Sequence, residues 1–394
     1  MSETRPIYLD YQATTPVDPR VAEAMWPYFT QAFGNPHSVH HAYGREAEAA
    51  VERARGEVAA ILAAQPREIV FTSGATESNN LAIKGAARFR AHHQGRGHVV
   101  TVTTEHKCVL ESCKRLEAEG HPVTYLGVDA VGRLDPEAVR AALRPDTALV
   151  SVMGVNNETG VIQDLAAIGA ITREHGVLFH TDCAQAVGKI PVDVNAARID
   201  LLSLSGHKIY GPKGIGALYV RRRPRARLAP LMDGGGQERT LRSGTVPAPL
   251  AVALGEACRV AHAEMANEHA HLAVLQARLS DGLRGELPDL RVNGSWDRRI
   301  PGNLNITIPG LDAETLIAHL DGVAVSTASA CSSASVEPSY VLTAMGLSEN
   351  EAAASLRIGL GRFTTKAEVD TAVAAIGRTA ERLRREGVTQ LTTA

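Results

Sequence analysis

Cysteine is scarce here and scattered: five residues in 394, an odd number without a C-x-x-C pair. That pattern suggests neither a disulfide framework nor a zinc site, and it leaves reduced thiols as the expectation. Charge of either sign is also in little excess. Lys and Arg total 41 against 43 Asp and Glu, a net −2, which gives no electrostatic footprint for nucleic acid. No apolar stretch approaches membrane-spanning length, and Met1–Pro6 lacks the apolar core of a signal peptide. The expectation is a cytoplasmic protein with no membrane partner. Internal repeats and low-complexity tracts are missing too, apart from an alanine-rich bias. What is present is 44% hydrophobic and 21% charged, ordinary values for a chain that buries a core. The length allows two domains, or one large and one small.

One stretch organises the rest. The apolar run from Leu201 delivers Ser205, His207 and Lys208 to its end, and Gly206, Gly211, Gly214 and Gly216 then let the backbone turn sharply. A lysine at the end of a buried strand is costly to keep charged, and a neutral amine is a nucleophile that forms Schiff bases. The bland alternative is a solvated lysine in a surface turn. Upstream, Gly176–Cys183 is a short apolar strand carrying Asp182, with Gln185 three residues later. Alone, Asp182 reads as a helix N-cap. Together, Asp182 and Lys208 suit pyridoxal 5′-phosphate, whose ring nitrogen needs a carboxylate partner to stay protonated. Lys213 is the runner-up Schiff-base residue. The glycine-rich turn around it lacks the Gly-Lys-Ser/Thr ending of a nucleotide-binding loop and precedes a strand, so that reading is rejected.

Along the chain, Ile7–Pro16 reads as a short strand running into a polar turn. A helix over Gly44–Ala63 follows from the spacing of Val51, Ala54, Val58, Ile61 and Leu62. The three histidines of Gly34–His41 lack the company of a metal site. Glu68–Ser78 reads as strand, glycine turn and helix start, a ready phosphate site. His98–His106 is a strand ending in a histidine, either structural or able to stack on a cofactor ring. Strands at 123–128 and 147–153 alternate with helices at 135–143 and 164–175, implying a mostly parallel sheet with helices on both faces. Ligands of such sheets sit beyond the strands' carboxyl ends, where Gly74, His106, Asn157, Asp182 and Lys208 all fall. Arg221–Arg225 reads as a solvated turn. A helix over Pro247–Glu286 links this part to a smaller α+β unit, and its His262, His269 and His271 are expected at the surface. In that unit, Ser326–Ser335 is a run of small side chains around Cys331, too poor in apolar area to be a core and so expected to be mobile. Cys108, Cys113 and Cys258 read instead as inert core thiols in helices.

With these residues in hand, the chain resembles the cysteine desulfurases of iron–sulfur cluster assembly. These are fold-type I pyridoxal-phosphate enzymes related to class V aminotransferases. The motifs are Ala13-Thr14-Thr15-Pro16, Ser73–Asn79, Thr104-Glu105-His106, Val155–Gly160, His180-Thr181-Asp182, Ser205–Lys208 and Ser329-Ala330-Cys331. The small-residue run before Glu337–Tyr340 is like the long-loop subgroup. The resemblance implies an α/β fold with a large cofactor-binding domain over residues 16–262. It implies a small domain built from 1–15 and 263–394 that carries the Cys331 loop.

It also implies roles. Lys208 would be the Schiff-base lysine and proton shuttle, Asp182 the pyridinium partner, Gln185 a donor to the ring hydroxyl, and His106 the stacking ring. Ala75, Thr76, Ser205 and His207 would hold the phosphate, with Thr245 from a second subunit of a homodimer. Asn157 and Arg357 would orient the substrate L-cysteine, with Ala13 and Thr14 beside it and Arg357 gripping its carboxylate. Cys331, as thiolate, would take the substrate sulfur as a persulfide, release alanine, and pass the sulfur to an acceptor or iron–sulfur scaffold protein. Two other readings stand beside this one. The first is a different reaction of the same cofactor: transamination, β-elimination or selenocysteine lysis. The second is a non-catalytic sulfur-relay scaffold.

Overall fold

The computed structural model describes residues 5–327 and 338–388. Cys331 and its neighbours in the small-residue run therefore lie outside the described residues. The main sheet has seven strands in the spatial order Ile69–Thr72, Gly216–Val220, Leu201–Ser205, Leu178–Asp182, Thr147–Ser151, His98–Val102 and Val123–Leu126. All neighbouring pairs are parallel except the two made by Gly216–Val220, which runs against both Ile69–Thr72 and Leu201–Ser205. Its reversed direction brings Gly216 level with Ser205 and Thr72, at the edge where the parallel strands end.

The apolar runs become strands because burial on both faces rewards them. Leu201, Leu202 and Leu204 are all but inaccessible, and each contributes about 1.5–3 kcal/mol relative to an exposed leucine. Helices Ala42–Ile61, Ala75–Gln94, Lys107–Ala118, Pro136–Ala142 and Leu165–Glu174 cover the sheet. The observed limits differ from the sequence expectation by about two residues at Ala42–Ile61, where the side chain of His41 caps the helix.

Helix Ala248–Glu286 spans two cores. Its first half packs Ala251, Leu254 and Cys258 into the core on the sheet. Gly255 lies so close to helix Ala42–Ile61 that a Cβ would come within 2.6 Å of Ala54 Cα. Its second half places Leu272, Leu275, Leu279 and Leu283 in a separate core with Leu9, Leu304, Ile306, Leu356, Ile358 and Ile376. That second core lies against an antiparallel sheet in the order Ser326–Thr327, Ser355–Gly359, Asn303–Thr307 and Arg291–Val292. Strand Ile7–Tyr8 pairs in parallel with Val323–Ala324. Helix Lys366–Glu386 closes the core, its start fixed by a reciprocal Thr365–Glu368 cap and its end by Gly387 in the left-handed region.

Two sequence expectations fail. Arg221 is not a solvated turn residue: it is buried, donates to the carbonyls of Ile199 and Val194, and faces Asp200 at 3.3 Å. Arg222, Arg223 and Arg225 are exposed as expected. Cys108 is not a core thiol, because it sits in the first turn of Lys107–Ala118, whose start faces the sheet's open end. Cys113 and Cys258 are buried.

Candidate active site

Strand ends and helix starts meet at a cleft of about 420 Å³. Ala13, Ala75, Thr76, His106, Asn157, Asp182, Gln185, Ser205, His207 and Lys208 all line it, as do Gly74, Cys108, Ala184 and Lys213. Three expected site residues lie off this lining. Thr14 is behind it, its hydroxyl 3.1 Å from His207 Nδ1. Arg357 is wholly buried. Thr245 is exposed and outside the cleft. A wider hollow of about 620 Å³ elsewhere is lined by Arg55, Arg67, Arg222, Arg239 and Glu238 among others, and holds none of these groups.

The rim of the cleft is the start of helix Ala75–Gln94. Gly74 caps it with φ +150°, a conformation open to glycine. The first backbone N–H groups of a helix have no partner within it, and the dipole favours an anion there. Glu77 accepts from the Ser73 N–H at 2.7 Å and pairs with Arg242 at 2.9 Å. Ser205 and His207 face the same end. Burial and the nearby Lys208, Lys213 and Lys189 pull the His207 pKa down to about 4, so at neutral pH its ring is uncharged.

Asp182 ends its strand, nine-tenths buried and oriented by two donors. Asn79 Nδ2 reaches one carboxylate oxygen at 2.6 Å and the Ala184 N–H reaches the other at 2.9 Å. Lys208 leaves the neighbouring strand through the turn Gly206–Lys208. Its Nζ donates to the carbonyls of Gln12 at 2.5 Å and Ala13 at 2.8 Å. His106 caps helix Lys107–Ala118: its Nδ1 accepts the Cys108 N–H at 3.2 Å. That contact places the ring proton on Nε2.

Behind the cleft, Glu105 is fully buried, with the Met153 N–H donating to one oxygen. Burial, reinforced by the Asp182 charge, pushes its pKa well above the usual carboxylate range. Asn157 Oδ1 is buried with no partner among the described residues, and so is Arg357 Nε. Arg357 Nη1 donates to the Asn157 carbonyl at 3.2 Å, and Nη2 pairs with Asp10 at 2.9 Å. Arg357 Nε is thus an open donor suited to an amino-acid carboxylate, and Asn157 Oδ1 an open acceptor suited to an N–H or O–H group beside it.

Two features were missed in the sequence. Asp10 lies in a polar turn and gave no sign that it pairs with an arginine far along the chain. Asn79 follows the glycine turn by helical spacing, which places it opposite Asp182, but it reads as an ordinary helix residue.

The donor set fits pyridoxal phosphate from end to end: an anion seat at a glycine-capped helix start, a flat histidine, a buried carboxylate and a lysine amine. Together with an α/β fold built on a mostly parallel sheet, it defines a fold-type I pyridoxal-phosphate enzyme. The chain belongs to the aminotransferase class-V family, whose model matches residues 7–372. It is 55% identical over 379 residues to the cysteine desulfurase IscS of Rickettsia bellii, covering 96% of this chain and 92% of that protein. A solved NifS-like protein superposes with a TM-score of 0.89 at 35% identity, covering 96% of this chain and all of the other. SspA, solved in complex with cysteine, superposes with a TM-score of 0.81 at 43% identity over 91% of this chain and all of the other.

Proposed function

We propose that this chain is a pyridoxal-phosphate-dependent cysteine desulfurase that converts L-cysteine to L-alanine and holds the sulfur as a persulfide on Cys331. The carrying observation is that Asp182, at the end of its strand, and Lys208, in the turn after the neighbouring strand, line one cleft that His106 also lines. When bound, the cofactor supplies an electron sink for the substrate's α-carbon. Lys208 would hold it through its amine, and that amine is the group placed to move the substrate's Cα proton. Asp182 keeps the ring nitrogen protonated, Gln185 donates to the phenolic oxygen, and His106 stacks on the ring. Ala75, Thr76, Ser205 and His207 hold the phosphate. Arg357 and Asn157 align the substrate carboxylate, with Ala13 and Thr14 beside it. The Cys331 thiolate attacks the substrate sulfur: the S–S bond forms as the C–S bond breaks, its electron pair returns to the three-carbon fragment, and protonation there yields alanine.

The division into a large domain over 16–262 and a small one over 1–15 and 263–394 is supported by the change of core partway along helix Ala248–Glu286. A homodimer is supported by the exposed position of Thr245, which would complete the phosphate seat of a second copy. A sulfur-acceptor or iron–sulfur scaffold protein takes the persulfide sulfur. The four described cysteines are free, as suits the cytoplasm, and no described helix is long and apolar enough to cross a membrane.

A single turnover with stoichiometric cysteine tests the sulfur step. Parent protein is expected to give alanine and a persulfide mapped by mass spectrometry to Cys331, and Cys331→Ser to give neither. Alanine and sulfide at the parent rate from Cys331→Ser would overturn the persulfide route.

A further inference from the structure

Gln185 and Lys189 lie four residues apart in consecutive turns after Asp182, spacing that brings their side chains together. Lys189 does not line the cleft, whereas Gln185 does and is almost completely buried. Lys189 Nζ donates to Gln185 Oε1 at 2.5 Å. Gln185 Nε2 donates to the Gln12 carbonyl at 2.9 Å, the same oxygen that accepts from Lys208 Nζ. A side-chain amide has one acceptor end and two N–H donors. Its oxygen is taken by Lys189 and one N–H by Gln12, which leaves a single N–H for the cleft. Reversing the amide would set its oxygen against the Gln12 carbonyl, acceptor against acceptor in every state, and its NH₂ against the lysine, donor against donor while that lysine is charged.

We propose that Lys189 is a positioning residue that fixes the Gln185 amide with its NH₂ end toward the cofactor's phenolic oxygen. The inference rests on the cofactor assignment above and goes beyond it, because Lys189 touches neither cofactor nor substrate. Burial, with Lys208 and Arg357 nearby and Glu268 opposing them, brings the Lys189 pKa down to about 7. Both protonation states keep an N–H for Gln185 Oε1, so the lock holds across neutral pH. Its consequence is electronic. A donor on the phenolic oxygen weakens that oxygen's hold on the proton of the Lys208 linkage, so loss of the donor raises the linkage pKa. Loss of a nearby positive charge would raise it as well, and the experiment must separate the two.

The measurement is a pH titration of the visible absorbance of the pyridoxal-phosphate-loaded protein, in a cycle of Lys189→Met, Gln185→Leu and the double variant, with Lys189→Arg as the conservative replacement. Lys189→Met is expected to raise the apparent linkage pKa by about half to one pH unit, the size of one ordinary hydrogen bond. Lys189→Arg is expected to titrate close to the parent. In the Gln185→Leu background, the Lys189→Met shift is expected to shrink to a small fraction of its parent value, because the two residues act through one contact. Should Lys189→Met fail to fold, Lys189→Leu takes its place in the cycle, since it too has no donor for Gln185 Oε1. An unmoved titration, or a shift of equal size with and without Gln185, overturns the positioning role and leaves the cofactor assignment standing. A parent protein that pyridoxal phosphate cannot turn yellow overturns both.

Discussion

Arg357 is fully buried, so the cost of burying its charge depends on what lies beside it. Asp10 is its one carboxylate partner among the described ion pairs, and Ser326 donates to the other Asp10 oxygen at 2.6 Å. Removing one member of a buried pair leaves an uncompensated charge, commonly a loss of about 3–5 kcal/mol. Asp10→Asn is the gentler probe: it keeps the shape and removes the charge that aims the guanidinium. KM for cysteine is expected to rise about tenfold, ~1.4 kcal/mol of binding, with kcat changed much less. Steady-state kinetics check this, and an unchanged KM would contradict the aiming role. His180 makes a second residue-scale case. It is fully buried between Ser151 and Ser203, and burial lowers its pKa to about 3. The unfolded chain, with a pKa near 6.5, then binds more protons between these values, so stability falls as pH drops below about 6.5. This group alone is expected to cost on the order of 2 kcal/mol by pH 5. Chemical denaturation at pH 7 and pH 5 checks the sign, and greater stability at pH 5 would contradict it. Residues of this kind divided by legibility. Lys208 and Asp182 showed themselves because each ends an apolar run. Asp10, Arg221 and Lys189 did not, because a charge in a polar stretch looks the same whether it is solvated or paired with a distant part of the chain.

At the scale of elements, the cleft depends on how closely three backbone segments meet. A Cβ on Gly216 would stand 2.5 Å from the Leu204 carbonyl oxygen and 2.6 Å from Gly74 Cα. Neither neighbour is a flexible side chain, so relief requires moving the turn that starts helix Ala75–Gln94. Gly216→Ala is therefore expected to weaken pyridoxal phosphate retention at least tenfold, read by absorbance after dialysis. Retention equal to the parent would show that the turn does not seat the cofactor. Strand and helix positions were largely readable from hydrophobic period, because both core-facing helices and buried strands carry it. The single reversed strand was not: Gly216–Val220 has the same apolar composition as its parallel neighbours, and only the short connection from Lys208 hints at its direction.

Over the whole molecule, two pairs of exposed rings stand out. Trp26 is 66% exposed, Phe33 64%, Tyr43 56% and Phe29 49%. Trp26 packs on Phe29 and Phe33 on Tyr43, with ring centroids 6.0 Å and 5.6 Å apart. Exposed aromatic pairs commonly mark contact areas, which agrees with the proposed second copy. If the proposed second copy docks here, Phe33→Asp combined with Trp26→Asp is expected to shift sedimentation velocity from dimer toward monomer; a parent that sediments as a monomer, or a dimer the variant leaves unchanged, would contradict this. The two cores were legible only in outline. A helix that serves both, Ala248–Glu286, shows no break in its sequence where it passes from one to the other.

The account as a whole stands on which amine holds the cofactor, and borohydride reduction of the yellow protein followed by peptide mapping reads that directly. The pyridoxyl label is expected on Lys208, opposite Asp182. A label on Lys213, or none on either residue, would contradict the account.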